Sequence, residues 1–217
     1  MDFSGPELAD YCNVQSLNCE FLIRLRGSSS GRELRQQMAP TLRPMLGGLS
    51  DLQIERLSAT PFLLLSLRER DEEYWHRLAS DEPNGDLLIA AHQSHESNQL
   101  PAACLGFLWQ LARRNPYAVR LVSGATLNWC ERLAECTLFR LLQRMAGRGD
   151  LLRVRRAGDV EFWNKLLGPG LSSERDVRRA AQLSALQSIL TAGPVPRYRS
   201  LRAAACNAPA PSLRIAD

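Results

Sequence analysis

Lysine is nearly missing from this chain. Of its 27 basic residues, 26 are arginine and only Lys165 is lysine. A bias this strong reads as the mark of a GC-rich coding genome, so arginine abundance alone carries no message about nucleic acid. Histidine is scarce too, with only His76, His92 and His95. The six cysteines (Cys12, Cys19, Cys104, Cys130, Cys136, Cys206) include no C-x-x-C pair. That excludes zinc ribbons and fingers, whose tight turns present two thiolates to one tetrahedral ion. Most of the cysteines read as reduced, small apolar side chains; Cys130 and Cys136, six apart, are a pair to consider for redox chemistry.

His92, His95, Glu96 and Cys104 can be written as metal ligands, because positions three apart share a helix face, but no second close pair closes the site. No metal and no cofactor is expected. A P-loop, a G-x-G-x-x-G fingerprint and a G-x-S-x-G elbow are all missing, which removes the commonest phosphate-binding and acyl-transfer chemistries. Asp71, Glu72 and Glu73 could serve acid–base catalysis only inside a pocket. Capping by Asp71 and solvation of its neighbours is the simpler reading, and no enzyme is expected. The longest apolar run, Pro61 to Leu67, is too short to span a bilayer. Acidic residues stand where a signal peptide needs a basic region, so a cytoplasmic protein without a membrane segment is expected.

What the chain does have is one motif twice. Residues 63–78 read LLLSLRERDEEYWHRL and residues 151–166 read LLRVRRAGDVEFWNKL, identical at 7 of 16 positions. The identities are Leu63/Leu151, Leu64/Leu152, Arg68/Arg156, Asp71/Asp159, Glu73/Glu161, Trp75/Trp163 and Leu78/Leu166. Tryptophan is rare enough to make the match informative, and a repeat constrains architecture before any local reading does.

The rest of the chain fits a mainly α fold of two related helical units packed as one body, with room for short extended segments. The first unit spans 1–80. It opens on a helix from Leu8 to Arg26, breaks at Gly27 to Gly31, continues helically to about Leu46 with Pro40 and Pro44 interrupting, and turns at Gly47-Gly48. Ser50 and Gln53 form a capping-box pattern for a helix from Asp51 to Ser58. Phe62 to Leu67 suits a strand or a buried helix equally. A turn-rich linker occupies 81–99. The second unit, 100–168, starts with Pro101 as the first residue of a helix that ends at Asn115-Pro116. Gly124 terminates the next helix, and another carries Trp129 and Leu133. Thr137 caps one bearing Leu138, Leu141, Leu142 and Met145. One inserted residue aligns Leu46-Gly47-Gly48-Leu49-Ser50 with Leu133-Ala134-Glu135-Cys136-Thr137. The segment 169–191 holds a C-terminal helix from Glu174 to Leu190 capped by Ser173, and 192–217 reads as a disordered basic tail.

Ala118-Val119-Arg120-Leu121, Gly124, Leu133-Ala134, Thr137-Leu138, Leu141 and Leu151-Leu152, led by the helix Leu105 to Arg114, resemble the pattern of the D subunit of the bacterial flagellar master transcriptional activator. The resemblance implies a leading amphipathic helix, a Leu-Gly turn and a helix-turn-helix-like pair joined at a Leu-Thr step, and with them a bacterial transcription-regulating role on DNA. Two copies in one chain then imply an internal pseudo-dimer where that family uses two chains; a homo-oligomer is the alternative.

On the helix after Thr137 the apolar residues point inward, leaving Arg140, Gln143 and Arg144 outward, suited to phosphates and base edges. Arg148 continues the row and Arg153 follows it. The first unit shows Asp51, Gln53 and Glu55 at the corresponding face, which phosphate would repel. Residues 1–100 carry net −6 and residues 101–217 net +10, composing the overall +4. Such a split suggests either that the C-terminal half meets a polyanion or that the halves attract each other, with the stretch from Glu69 to Glu73 the obvious acidic partner. The expected function is DNA binding, or binding to a DNA-bound complex, through the second unit. The competing expectation is a protein-interaction adaptor with no nucleic-acid role.

Overall fold

The computed structural model describes residues 5–27, 29–80, 95–145 and 150–191. Among them are eleven α-helices, one short 3-10 turn and a two-stranded sheet, a mainly α fold. In the first half these are α1 (Leu8–Gly27), α2 (Ser29–Gln36), α3 (Arg43–Gly47), α4 (Asp51–Ser58), β1 (Leu65–Ser66) and α5 (Glu72–Ser80). In the second half they are α6 (His95–Arg114), α7 (Pro116–Ser123), α8 (Leu127–Glu135), α9 (Leu138–Met145), β2 (Arg153–Val154), α10 (Val160–Leu167) and the 3-10 turn Pro169–Leu171. A last helix, α11 (Arg175–Thr191), follows.

The boundaries recur. Adding 87 to the bounds of α1, α2 and α4 gives the bounds of α6, α7 and α9, and adding 88 to those of β1 gives β2. Packing recurs with them: α1 lies on α2, α3 and α4, and α6 lies on α7, α8 and α9. The two long helices pack against each other antiparallel, with Asp10 at the start of α1 ion-paired to Arg114 at the end of α6. The strands also pair antiparallel, Leu65 with Val154 and Ser66 with Arg153. Exchanging each residue for its counterpart 88 positions away turns one of these pairs into the other, so the ladder is its own image about an axis through its centre.

Local chemistry explains most elements. Ser50 and Gln53 form the reciprocal capping box on α4. Asn115 caps α7 by accepting from the Tyr117 and Ala118 amides, and Gly124 ends that helix at φ 65°, a left-handed conformation that glycine adopts without strain. Thr126 caps α8, and Asp159 caps α10. Phe62 to Leu65 are fully buried and non-helical, with Leu65–Ser66 as strand, so the buried-helix reading of this segment does not hold. Buried Asn18 on α1 holds this segment in place: its amide donates to the Phe62 carbonyl at 2.9 Å and accepts from the Leu64 N–H at 2.8 Å.

Three boundaries differ from expectation. α2 begins at Ser29, inside the break expected from Gly27 to Gly31, and Arg35 ties it to the Leu25 and Arg26 carbonyls at the end of α1. α6 begins at His95, so Pro101 lies inside the helix, and residues 95–99 belong to it instead of the linker. Pro101 is buried, and apolar packing of α6 against α1 outweighs the one backbone hydrogen bond that proline forfeits. α11 begins at Arg175, and it is the Ser172 hydroxyl that accepts from the Glu174 N–H, not Ser173. The tail 192–217 and most of the linker lie outside the described residues. No described helix is long and apolar enough to cross a membrane.

Candidate functional site

Two regions concentrate cationic side chains, and they differ in how those cations are used. The first is the outward face of α9. Leu141 and Met145 are buried, while Leu138 and Leu142 are half-buried, so the helix is anchored by one narrow stripe. Arg140 is exposed, Gln143 and Arg144 are half-buried, and Phe139 beside them is 62% exposed. α9 packs on α6 and α5. The tightly packed neighbours joined by a short turn are instead α7 and α8, separated by Gly124 to Thr126. The outward residues of α8 include Asn128, Glu131 and Glu135, an unfavourable set for phosphate. Arg153 is half-buried in β2, with its backbone paired to Ser66. Arg148 lies outside the described residues.

Behind α9, Trp75, Leu78, Trp129, Leu133, Cys136 and Leu141 line a small slot. Trp75 and Trp129 meet edge to face at 5.3 Å between centroids, so Trp75 is a core anchor more than a surface group.

The second region is the strand junction, and the sequence did not mark it as a site. A cleft of about 520 Å³ opens there between Ser66, Arg68, Glu69, Arg70, Asp71 and the Val154–Arg156 turn. At its base Arg155 and Glu69, 5% and 2% exposed, form an ion pair at 2.7 Å. Arg155 also donates to the carbonyls of Leu63, Ser123 and Leu65, the last at 2.7 Å. The other carboxylate oxygen of Glu69 accepts from the Ser66 hydroxyl at 2.6 Å and the Leu67 N–H at 2.9 Å. Charge and lone pairs are thus satisfied together, the condition for burying an ion pair without a large penalty.

Around this pair the remaining arginines are consumed by structure. Arg68 bridges Asp71 at 2.8 Å and Asp150 at 2.9 Å. Arg156 binds Asp159 and donates to the Ser188 carbonyl at 3.1 Å. Arg70 donates to the carbonyls of Gly124 at 2.9 Å and Ile189 at 2.7 Å. Arg70 and Arg156 therefore cap the C-terminal carbonyls of α11, where a cation also meets the negative end of the helix dipole. Burial lowers the Arg70 guanidinium below its ordinary pKa, against the opposing pull of Glu69.

Among the described residues no group of three or more His, Cys, Asp or Glu side chains could hold a metal ion. His92 lies outside the described residues, and Cys104 is fully buried. Burial raises the Cys104 thiol pKa and pushes that of Cys130 up to about 12, so neither is a thiolate at neutral pH. The stretch from Glu69 to Glu73 does not neutralise Arg140, Arg144 or Arg153: Glu69 is taken by Arg155 and Asp71 by Arg68. A signal for the junction was present in the sequence, since Glu69 stands opposite Ala157 and Arg155 opposite Leu67 when the two motifs are aligned. Comparison with known proteins returns no match to a family model, a curated protein or a solved structure.

Proposed function

We propose that this chain is a non-enzymatic regulatory protein of bacterial origin that binds DNA, or a complex already on DNA, through the outward face of α9. The observation that supports this reading is the state of its cations. The guanidinium groups of Arg140, Arg144 and Arg153 donate to no described group, whereas Arg26, Arg56, Arg68 and Arg70 in the first half are each held by a carboxylate or a carbonyl. α9 itself carries no acidic residue. Unpaired arginines on one helix supply the sequence-independent term of DNA affinity, and Gln143 adds a group able to read a base edge.

Anisotropy of a fluorescent duplex over a salt series tests the reading. Wild-type affinity should fall linearly in the logarithm of salt concentration. Arg140→Ala/Arg144→Ala should bind more weakly, with a slope shallower by about two charges. No binding by the wild type at low salt would refute it. One observation favours the adaptor reading in that case: Leu52 on α4 and Phe139 on α9 are 55% and 62% exposed at positions 87 apart. A partner grasping these two apolar points would be lost with Phe139→Ser and kept with Arg140→Ala.

A further inference from the structure

We propose that the β1–β2 junction is a dimer interface between two copies of one helical unit, carried here within a single chain, and that the buried Arg155–Glu69 pair is the element that forces unlike halves together. The proposal stands apart from the DNA reading, because it concerns how the halves choose each other.

The geometry behind it is self-complementary. Leu65 pairs with Val154 and Ser66 with Arg153, a ladder mapped onto itself by the displacement of 88 residues that relates the motifs. Arg68 and Arg156, also 88 apart, are the only non-glycine residues with positive φ among those described, at 58° and 48°. Each binds the aspartate three residues on, Asp71 or Asp159, which caps the following helix. An interface of this kind is isologous: each surface can in principle meet another copy of itself.

The polar pair removes that freedom. Arg155 corresponds to Leu67 and Glu69 to Ala157. Two first units meeting at this interface would bury Glu69 against Leu67 with no cation. Two second units would bury Arg155 against Ala157 with no carboxylate. Only the unlike pairing places the guanidinium on the carboxylate, 2.7 Å apart and almost wholly out of water. An uncompensated buried charge is strongly unfavourable, so the pair rejects the two like combinations more than it adds to the one observed. The partner this surface fits is therefore the complementary half of the same chain or, by exchange, of a second copy.

Two full-length charge variants test this. Arg155→Glu leaves two acidic residues at the junction, and Glu69→Arg leaves two arginines. Each alone should melt lower than wild type by roughly 10 °C or more, or fail to accumulate as folded protein. Expressed together, with an affinity tag on one, they can exchange halves. Glu69 of the first variant then meets Arg155 of the second. At the other junction the two introduced side chains meet, arginine from the first half and glutamate from the second, so the charges are complementary in the reversed sense. The expected result is co-purification in equal amounts, a mass of two chains by light scattering, and recovery of most of the lost melting temperature. Co-expression that yields no mixed dimer would overturn the proposal even if both single variants are unfolded. So would single variants that stay as stable as wild type, since the junction would then not require opposite charges.

Discussion

The turn around Arg68 and the turn around Arg156 perform the same local task with different surroundings. Both bend the chain from a two-residue strand into a helix through an arginine at positive φ, an aspartate cap and an aromatic–Trp pair stacked edge to face. In both, the arginine guanidinium lies over the ring of the aromatic residue six positions later, Tyr74 or Phe162. Three of the pairs identical in the two motifs, Arg68/Arg156, Asp71/Asp159 and Trp75/Trp163, build this turn. Glu69, Arg70 and Arg155, which differ from their counterparts Ala157, Gly158 and Leu67, reach the other half or α11. The Trp75 indole donates to the Arg68 carbonyl beside an open slot, whereas that of Trp163 donates to the Arg155 carbonyl in a sealed core. At the turn, then, identity preserves local geometry, while at Glu69 and Arg155 divergence matches what each copy is packed against.

The largest test of this contrast is to remove each tryptophan. Trp163 is 0% exposed and Trp75 is 8% exposed. Trp163→Ala should cost about 3–5 kcal/mol in urea unfolding, with Trp75→Ala clearly less because its slot already admits solvent. Equal losses would show that the two motifs are energetically interchangeable. Next comes Gly124, whose counterpart 87 residues earlier is Gln37, a residue that needs no positive φ and accepts from the Val154 N–H at 3.1 Å. A Cβ at Gly124 would overlap Cγ2 of Ile189. Gly124→Ala is expected to lose about 2–4 kcal/mol, and the double variant Gly124→Ala/Ile189→Ala to lose less than the sum of the singles.

A smaller effect should follow from the two caps. Asp71→Ala or Asp159→Ala should each cost about 1 kcal/mol. The Tyr74 N–H, outweighing a modest desolvation effect, lowers the Asp71 pKa; at Asp159 burial pushes upward but is outweighed by the Phe162 N–H and Arg156. A carboxylate whose folded pKa is depressed contributes stability that is present above its unfolded pKa and lost as pH falls through the folded value. Melting temperature should therefore drop as pH descends below the ordinary aspartate range, and Asp71→Asn/Asp159→Asn should flatten that drop. The smallest effect belongs to Arg26–Asp51, 2.6 Å apart with Asp51 92% exposed, whose counterparts in the second half are Arg113 and Leu138. Arg26→Ala should cost about 0.2–1 kcal/mol and less at high salt, which double-mutant unfolding would measure.

Much of this molecule was legible in its residues because the controlling interactions are local. Ser50 with Gln53, Asn115 with Pro116, Gly124 and Asp159 set helix ends through atoms only a few positions apart, and helical spacing of apolar residues marked the buried faces. The helix start at His95 was not legible, since Pro101 is a strong local signal for a first turn and only contact with α1 overrides it. The outward direction of Arg140 followed from periodicity on α9. The fate of Arg155 did not: a run of two arginines after β2 looks like solvated surface, yet one of them is buried against Glu69, 86 positions away. Residue order alone was enough for the mainly helical class and for caps such as Ser50 and Asn115, governed by short-range hydrogen bonding and periodic burial. Which charges meet across the strand junction, and which stay open on α9, was settled by the assembled fold, because desolvation depends on what the distant half of the chain places over each group.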